Sequence, residues 1–172
     1  MKKIYLVLST IILTACSGYT PLYGELGEEM NAIGLGSVKM EKAEKNVGER
    51  RLAQQMSYKL DRIFPNQFDN QYNLDVVLKK SESAIATRSD DTDKRKSITV
   101  YATMNLTDKY TNKKVFSTDI SRSSTYTTQE QPFATDAAKT KALESIISTL
   151  SGEIVQRAAL WFRGYSDDEN SK

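Results

Sequence analysis

The sequence predicts an α+β fold, a two-layer sandwich with two helices packed on a roughly four-stranded, mostly antiparallel sheet. Two segments carry one apolar stripe each at helical spacing. Three others alternate apolar and polar residues with a period of two. A further short apolar run precedes the first helix. Elements with a single apolar face must bury it against one another, and helices on one side of a sheet are a stable way to do so.

The elements follow in order. Leu35 to Met40 reads as a short strand with Val38 and Met40 on one face. Asn46 and Glu49 then have the spacing of a capping box. Leu52, Met56, Leu60 and Ile63 follow as a stripe widened by Ala53 and Phe64, and Pro65 ends the helix. Its other face mixes Glu49, Arg50, Gln54, Lys59, Asp61 and Arg62. This suits a core-packed helix, not one lying in a membrane interface, which would be strongly basic.

Tyr72, Leu74, Val76 and Leu78 alternate with polar neighbours as a half-buried strand. Ser81 to Lys96, polar and of both charge signs, reads as a long hairpin loop. Ile98, Val100, Ala102, Met104 and Leu106 then face one way, and Ser97, Thr99, Tyr101, Thr103 and Asn105 the other. Such alternation leaves one face covered and the other open to water or a partner. A turn over Asp108–Lys113 leads to a strand with Phe116, Thr118 and Ile120 on one face, continuing toward Tyr126.

Pro132 opens the second helix, where its missing N–H costs nothing. Ala138, Leu143, Ile146, Ile147, Leu150, Ile154, Ala158, Trp161 and Phe162 form its stripe, and Gly164 is its expected stop. The first strand–helix–strand unit makes a right-handed crossover if its strands are parallel neighbours. The last three strands make a meander.

The N-terminus sets the organisation of the chain. Lys2 and Lys3 precede an apolar run from Ile4 to Leu13 of about 10 residues, against the roughly 20 needed to span a bilayer. Basic start, short apolar run and small residues describe a secretory signal peptide. Leu13-Thr14-Ala15-Cys16 resembles a bacterial lipobox, which makes Cys16 the acylated first residue of the mature chain. Cys16 is the single cysteine of the sequence, and acylation accounts for a lone thiol in an exported protein. Ser17, where an Asp would favour inner-membrane retention, points to the outer membrane. The expected organisation is a signal peptide at 1–15, a lipidated tether at 16–34, one domain at 35–164 and a disordered polar tail at 165–172.

Composition narrows the function. The full chain of 172 residues has 24 basic and 22 acidic side chains and no His. The excess lies in Lys2 and Lys3, so no global basic field argues for nucleic acid. Without His or a free Cys, zinc sites and Ser-His or Cys-His nucleophile pairs are excluded. The adjacent carboxylates Glu28/Glu29 and Asp90/Asp91 lie in polar stretches that hold no fixed geometry, so no enzyme, cofactor or metal is expected.

Cys16 is followed by Gly18-Tyr19-Thr20-Pro21-Leu22-Tyr23-Gly24. This motif resembles the lipopolysaccharide-assembly lipoprotein family (LptE) in its α-proteobacterial form, typically Cys-Gly-Phe-x-Pro-Leu-Tyr-Gly. Ser17 is an insertion here and Tyr19 replaces Phe. The likeness continues more diffusely through Arg51-Leu52 and Leu60, the strand entry Arg95…Ile98-Thr99-Val100, Leu106-Thr107-Asp108 and the closing Ala-rich helix.

The resemblance implies two helices on a four-stranded sheet. It also implies a non-catalytic outer-membrane lipoprotein, lipid-anchored and periplasm-facing. Such a protein sits within the lumen of a large β-barrel translocon of the LptD type, helps it assemble and contacts lipopolysaccharide. Arg88, Lys94, Arg95, Lys96, Lys113 and Lys114 are the candidates for lipopolysaccharide phosphates, with solvated loop charges as the plainer reading. The alternatives are an accessory lipoprotein of another envelope machine, for secretion or barrel assembly, and a carrier of single lipids.

Overall fold

The computed structural model describes residues 30–42, 47–87 and 94–170. The signal peptide, Cys16 with its motif, Asn46, Arg88 and both carboxylate pairs lie outside the described residues. The element order is β1 (Ile33–Met40), α1 (Val47–Asp61), β2 (Tyr72–Thr87), β3 (Lys94–Asp108), β4 (Lys114–Thr128) and α2 (Pro132–Asn170). The strands form one sheet in the order β1-β2-β3-β4. β1 runs parallel to β2, with α1 as their crossover, and β2, β3 and β4 form an antiparallel meander. Two helices on a four-stranded mixed sheet is the expected fold class.

The core lies between the sheet and the two helices. Leu74, Val76 and Leu78 of β2 and Ile98, Val100, Ala102, Met104 and Leu106 of β3 are buried from above by Leu52, Met56 and Leu60 of α1 and by Ile146, Ile147, Leu150, Ile154 and Ala158 of α2. α1 lies over β1, α2 lies over β4 and β3, and the helices touch each other. At one end of the sheet, Trp161 of α2 meets Tyr72 edge-on at 5.1 Å and stacks on Phe116 at 6.2 Å. At the outer strand, an Arg122–Glu153 ion pair ties β4 to α2.

Several boundaries differ from expectation. β1 begins at Ile33, and its register with β2 skips Gly36. The bulge shifts the alternation by one, so Ile33 and Leu35 share a face with Val38 and Met40. Ile63 is 43 % exposed, because the chain leaves α1 at Asp61 and turns inward on Phe64, which is fully buried. The long loop expected over Ser81–Lys96 is mostly strand: β2 runs to Thr87 and β3 starts at Lys94, paired residue for residue apart from a bulge at Ile85. α2 passes Gly164 and reaches Asn170, so residues 165–170, expected as a tail, belong to the helix. None of the described glycines has a positive φ, so Gly164 makes no left-handed cap.

Asn70 is buried and links three segments. Its Oδ1 accepts the Gln67 N–H, and its Nδ2 donates to the Asn31 carbonyl at 2.6 Å. Gly34 leaves the space for it, since a Cβ there would collide with Asn70 Oδ1. Gly34→Ala is therefore expected to destabilise the fold by about 1–3 kcal/mol, the range of overpacking. Gly152→Ala, with open space around the added methyl, is expected to stabilise it by about 0.5–1 kcal/mol through helix propensity. Urea midpoints of the two variants check both signs.

Candidate functional site

The two sides of the sheet differ chemically. The helix side is the core. The open side carries Asn73, Asp75 and Val77 of β2, Thr99, Tyr101, Thr103 and Asn105 of β3, and Ser117, Asp119, Ser121 and Ser123 of β4. Cross-strand hydrogen bonds run along it: Ser117 Oγ donates to Asn105 Oδ1 at 2.8 Å, Thr103 Oγ1 donates to Asp119 Oδ1 at 2.6 Å, and the Thr99 and Ser123 hydroxyls pair at 2.9 Å. On β1, Ser37 Oγ donates to Asp75 Oδ1 at 2.6 Å. The result is a hydroxyl-rich wall that exposes few apolar groups. Among its larger ones are Tyr101, which is itself amphipathic, and Val115 and Ile85, which sit at strand bulges.

The expected cations do not converge. Arg95 and Lys96 lie near the start of β3, where Lys94 also falls, while Lys113 and Lys114 lie at the β3–β4 turn. A strand of 15 residues separates the two groups, about 50 Å at the rise of a strand. Lys96 is on the helix side, directed at Glu82 at 3.9 Å. Glu82 also accepts from Lys139 of α2 at 2.7 Å and from the Tyr126 hydroxyl. This cluster fastens the first turns of α2 to the far end of the sheet. Lys113, Lys114 and Arg95 have no ion-pair partner among the described residues.

A second concentration of cations was not singled out in the sequence. Between α1 and α2 lies an open groove of about 1030 Å3. Arg51, Lys59, Arg62 and Lys141 line it against one acid, Glu144, with Ile147 at its floor and Tyr58 and Ile63 at its rim. None of the four cations is paired among the described residues. Four positive charges beside exposed apolar groups suit an anionic amphiphile, with Arg offering bidentate geometry to phosphate. The signal was present on α1, where Arg51, Gln55, Tyr58 and Arg62 recur at helical spacing. The contribution of α2 appears only once the helices are placed side by side.

The Glu82 cluster sets a pH dependence. Burial pushes the Glu82 carboxyl up, but hydrogen bonds from Lys139 and Tyr126 and the charges of Lys139 and Lys96 outweigh it, and the net shift is down. Burial, then the hydrogen bond and charge of Glu82, push the Tyr126 phenol up to about 12. Glu82 therefore contributes stability above the ordinary carboxyl value of about 4.3, and this is lost as pH falls through its depressed folded value. Tyr126 contributes below about 10, and this is lost as pH rises toward 12. Glu82→Gln is expected to flatten the acid limb of stability and to move the Tyr126 titration back toward about 10. Urea midpoints across the acid range and NMR of labelled tyrosine rings read the two effects.

No protein-family model matches the chain, and no curated protein matches it in sequence. Solved structures do match in fold. A protein from Caulobacter crescentus assigned as a lipoprotein is 18 % identical, with a TM-score of 0.54 over 81 % of this chain and 97 % of its own. Rare lipoprotein B from Shewanella oneidensis is 11 % identical, with a TM-score of 0.51 over 78 % of this chain and 98 % of its own. At these identities the likeness is one of fold: the chain shares its two-helix, four-stranded architecture with proteins described as bacterial lipoproteins.

Proposed function

We propose that the chain is an outer-membrane lipoprotein, anchored through acylated Cys16, that plugs and helps assemble a β-barrel lipopolysaccharide translocon of the LptD type. In this role it takes part in lipopolysaccharide transport to the outer membrane, without catalysis. The observation that carries this reading is the open face of the sheet. A large barrel has a polar lumen, and the hydroxyl-rich wall of β2, β3 and β4 is suited to it, where an ordinary apolar interface would not be. The lipobox, the Pro-Leu-Tyr-Gly motif and the fold likeness to rare lipoprotein B support the same reading.

Lipopolysaccharide joins phosphates to acyl chains. On this reading the groove between α1 and α2 is a better place for its phosphates than the separated strand-end lysines, because four cations and an apolar floor lie together there.

Two experiments test the proposal. A pulldown through a C-terminal tag from detergent-solubilised envelope is expected to recover a large β-barrel in roughly equal amount. Recovery of the chain alone, or of a secretion or assembly complex, defeats the barrel role. The double change Arg51→Glu and Lys141→Glu is expected to lower lipopolysaccharide retention at least about tenfold, since a charge-assisted hydrogen bond contributes roughly 1.5–3 kcal/mol. Lys113→Glu with Lys114→Glu is expected to change it much less. Equal losses in the two variants would remove the groove from the account.

A further inference from the structure

The tether and two exposed aromatics meet at one end of the molecule. The described chain enters at Met30 and feeds β1 at Ile33, beside Tyr72 at the start of β2. At the same end lie the segment from Phe64 to Gln71 and the β3–β4 turn. Backbone hydrogen bonds join all three: the Gln71 and Tyr72 N–H groups donate to the Ala32 carbonyl, and the Lys109 N–H donates to the Gln71 carbonyl. Lys109 Nζ reaches the Gln67 carbonyl at 3.4 Å.

Phe68 and Tyr110 project from these two loops. Phe68 is wholly exposed and Tyr110 is 79 % exposed, although each is held on a fixed support. Asn70 clasps the Phe68 loop to Asn31. Asp108 Oδ1 accepts the N–H groups of Tyr110 and Thr111 at 2.8 Å each, and Asn112 takes a positive φ to close the turn. Lys109, Lys113 and Lys114 lie in or beside the turn that carries Tyr110, and Lys109 reaches across to the Phe68 loop. Among the described side chains, the acids within these two loops are Asp69 and Asp108, and the Asp108 carboxylate is engaged by the turn. A single exposed aromatic is unremarkable. Two on neighbouring hydrogen-bonded loops, beside three lysines and at the end where the described chain begins, match the make-up of a membrane-interface contact.

We infer that this end of the sheet rests on the bilayer that holds the acyl chains, with Phe68 and Tyr110 in the headgroup region and Lys109, Lys113 and Lys114 on lipid phosphates. The segment from Cys16 to the first described residue is 14 residues, at most about 50 Å when extended. That length bounds the distance of the domain from the surface, and the aromatic loops supply an orientation. The contact rests on the lipid-anchor reading of Cys16 and is independent of any barrel. It gives Lys113 and Lys114 a role other than lipopolysaccharide binding.

The test uses the full chain, purified from membranes and reconstituted without a barrel into phosphatidylethanolamine–phosphatidylglycerol vesicles. With Cys16 acylated, a new cysteine is the sole free thiol. Spin labels are placed through Phe68→Cys, Tyr110→Cys and, at the far end of the open face, Thr125→Cys. Labels at 68 and 110 are expected to be several-fold less accessible to a water-soluble nickel chelate than the label at 125, and more accessible to oxygen. Equal, aqueous accessibility at all three overturns the inference. The mass of Cys16 in the same sample separates the two readings. An unacylated chain removes the anchor on which the contact rests, whereas an acylated chain with aqueous labels keeps the anchor and overturns the contact.

Discussion

A sheet that is apolar on one side only is the constraint on which the rest of this structure depends. Every buried side chain of β2 and β3 points toward the helices, and their partners across the strand point to water or to other hydroxyls. The helices must therefore both lie on the same face, side by side, because no second apolar face exists for either to cover. That forced adjacency creates the groove between α1 and α2. It also leaves the opposite wall uncovered. Core and candidate surfaces thus have one origin, the period-two pattern of three strands.

The same constraint explains why α2 is long. α1 covers the β1 side, and α2 must reach along β4 and β3 from the Glu82 cluster at one end to the Trp161 contacts at the other. The two ends are fastened differently. Trp161, Phe162, Tyr72 and Phe116 pack by ring contacts, which depend on area and geometry. Glu82, Lys139 and Tyr126 hold by charge-assisted hydrogen bonds, with Lys96 adding its charge, and these depend on pH. The hairpin beyond the apolar core is thus held to α2 largely by polar contacts.

Residues whose neighbours follow from spacing were legible in the sequence. Leu74, Val76 and Leu78, Ile98 through Leu106, and Ile146 through Ala158 all fall on the core face as the periodicities require. The far halves of β2 and β3 were not legible. Lys79-Lys80-Ser81-Glu82-Ser83 has the composition of a loop, and its extended form is held by ladder hydrogen bonds and by Lys139 and Tyr126, partners 44 residues or more away in sequence. Bulges hid in the same way: Gly36, Ile85 and Val115 each displace the register by one, so alternation counted through them fails. The strand-end lysines were grouped by type, but a strand separates what composition places together. The groove was invisible for the converse reason, since Lys141 is distant from Arg51 in the chain and near it only across two packed helices.

Length gives the open wall its meaning. Strands of 15 and 16 residues are long for a domain of this size. At about 3.4 Å per residue they extend about 50 Å, beyond the roughly 30 Å hydrocarbon thickness of a bilayer. A core of two helices does not require strands of that length, since the buried apolar positions of β2 stop at Leu78 while the strand continues to Thr87. The extra length carries Lys, Ser, Glu, Ala and Thr, with Ile85 exposed at a bulge, and lies at the end of the sheet away from Ile33. A long, stiff, polar-walled element is what the proposed lumen-filling role would demand mechanically. A soluble carrier would instead use its residues to enclose an apolar cavity. The helix groove is open and rimmed by cations, so it matches transient contact with an anionic amphiphile in passage better than enclosure of one.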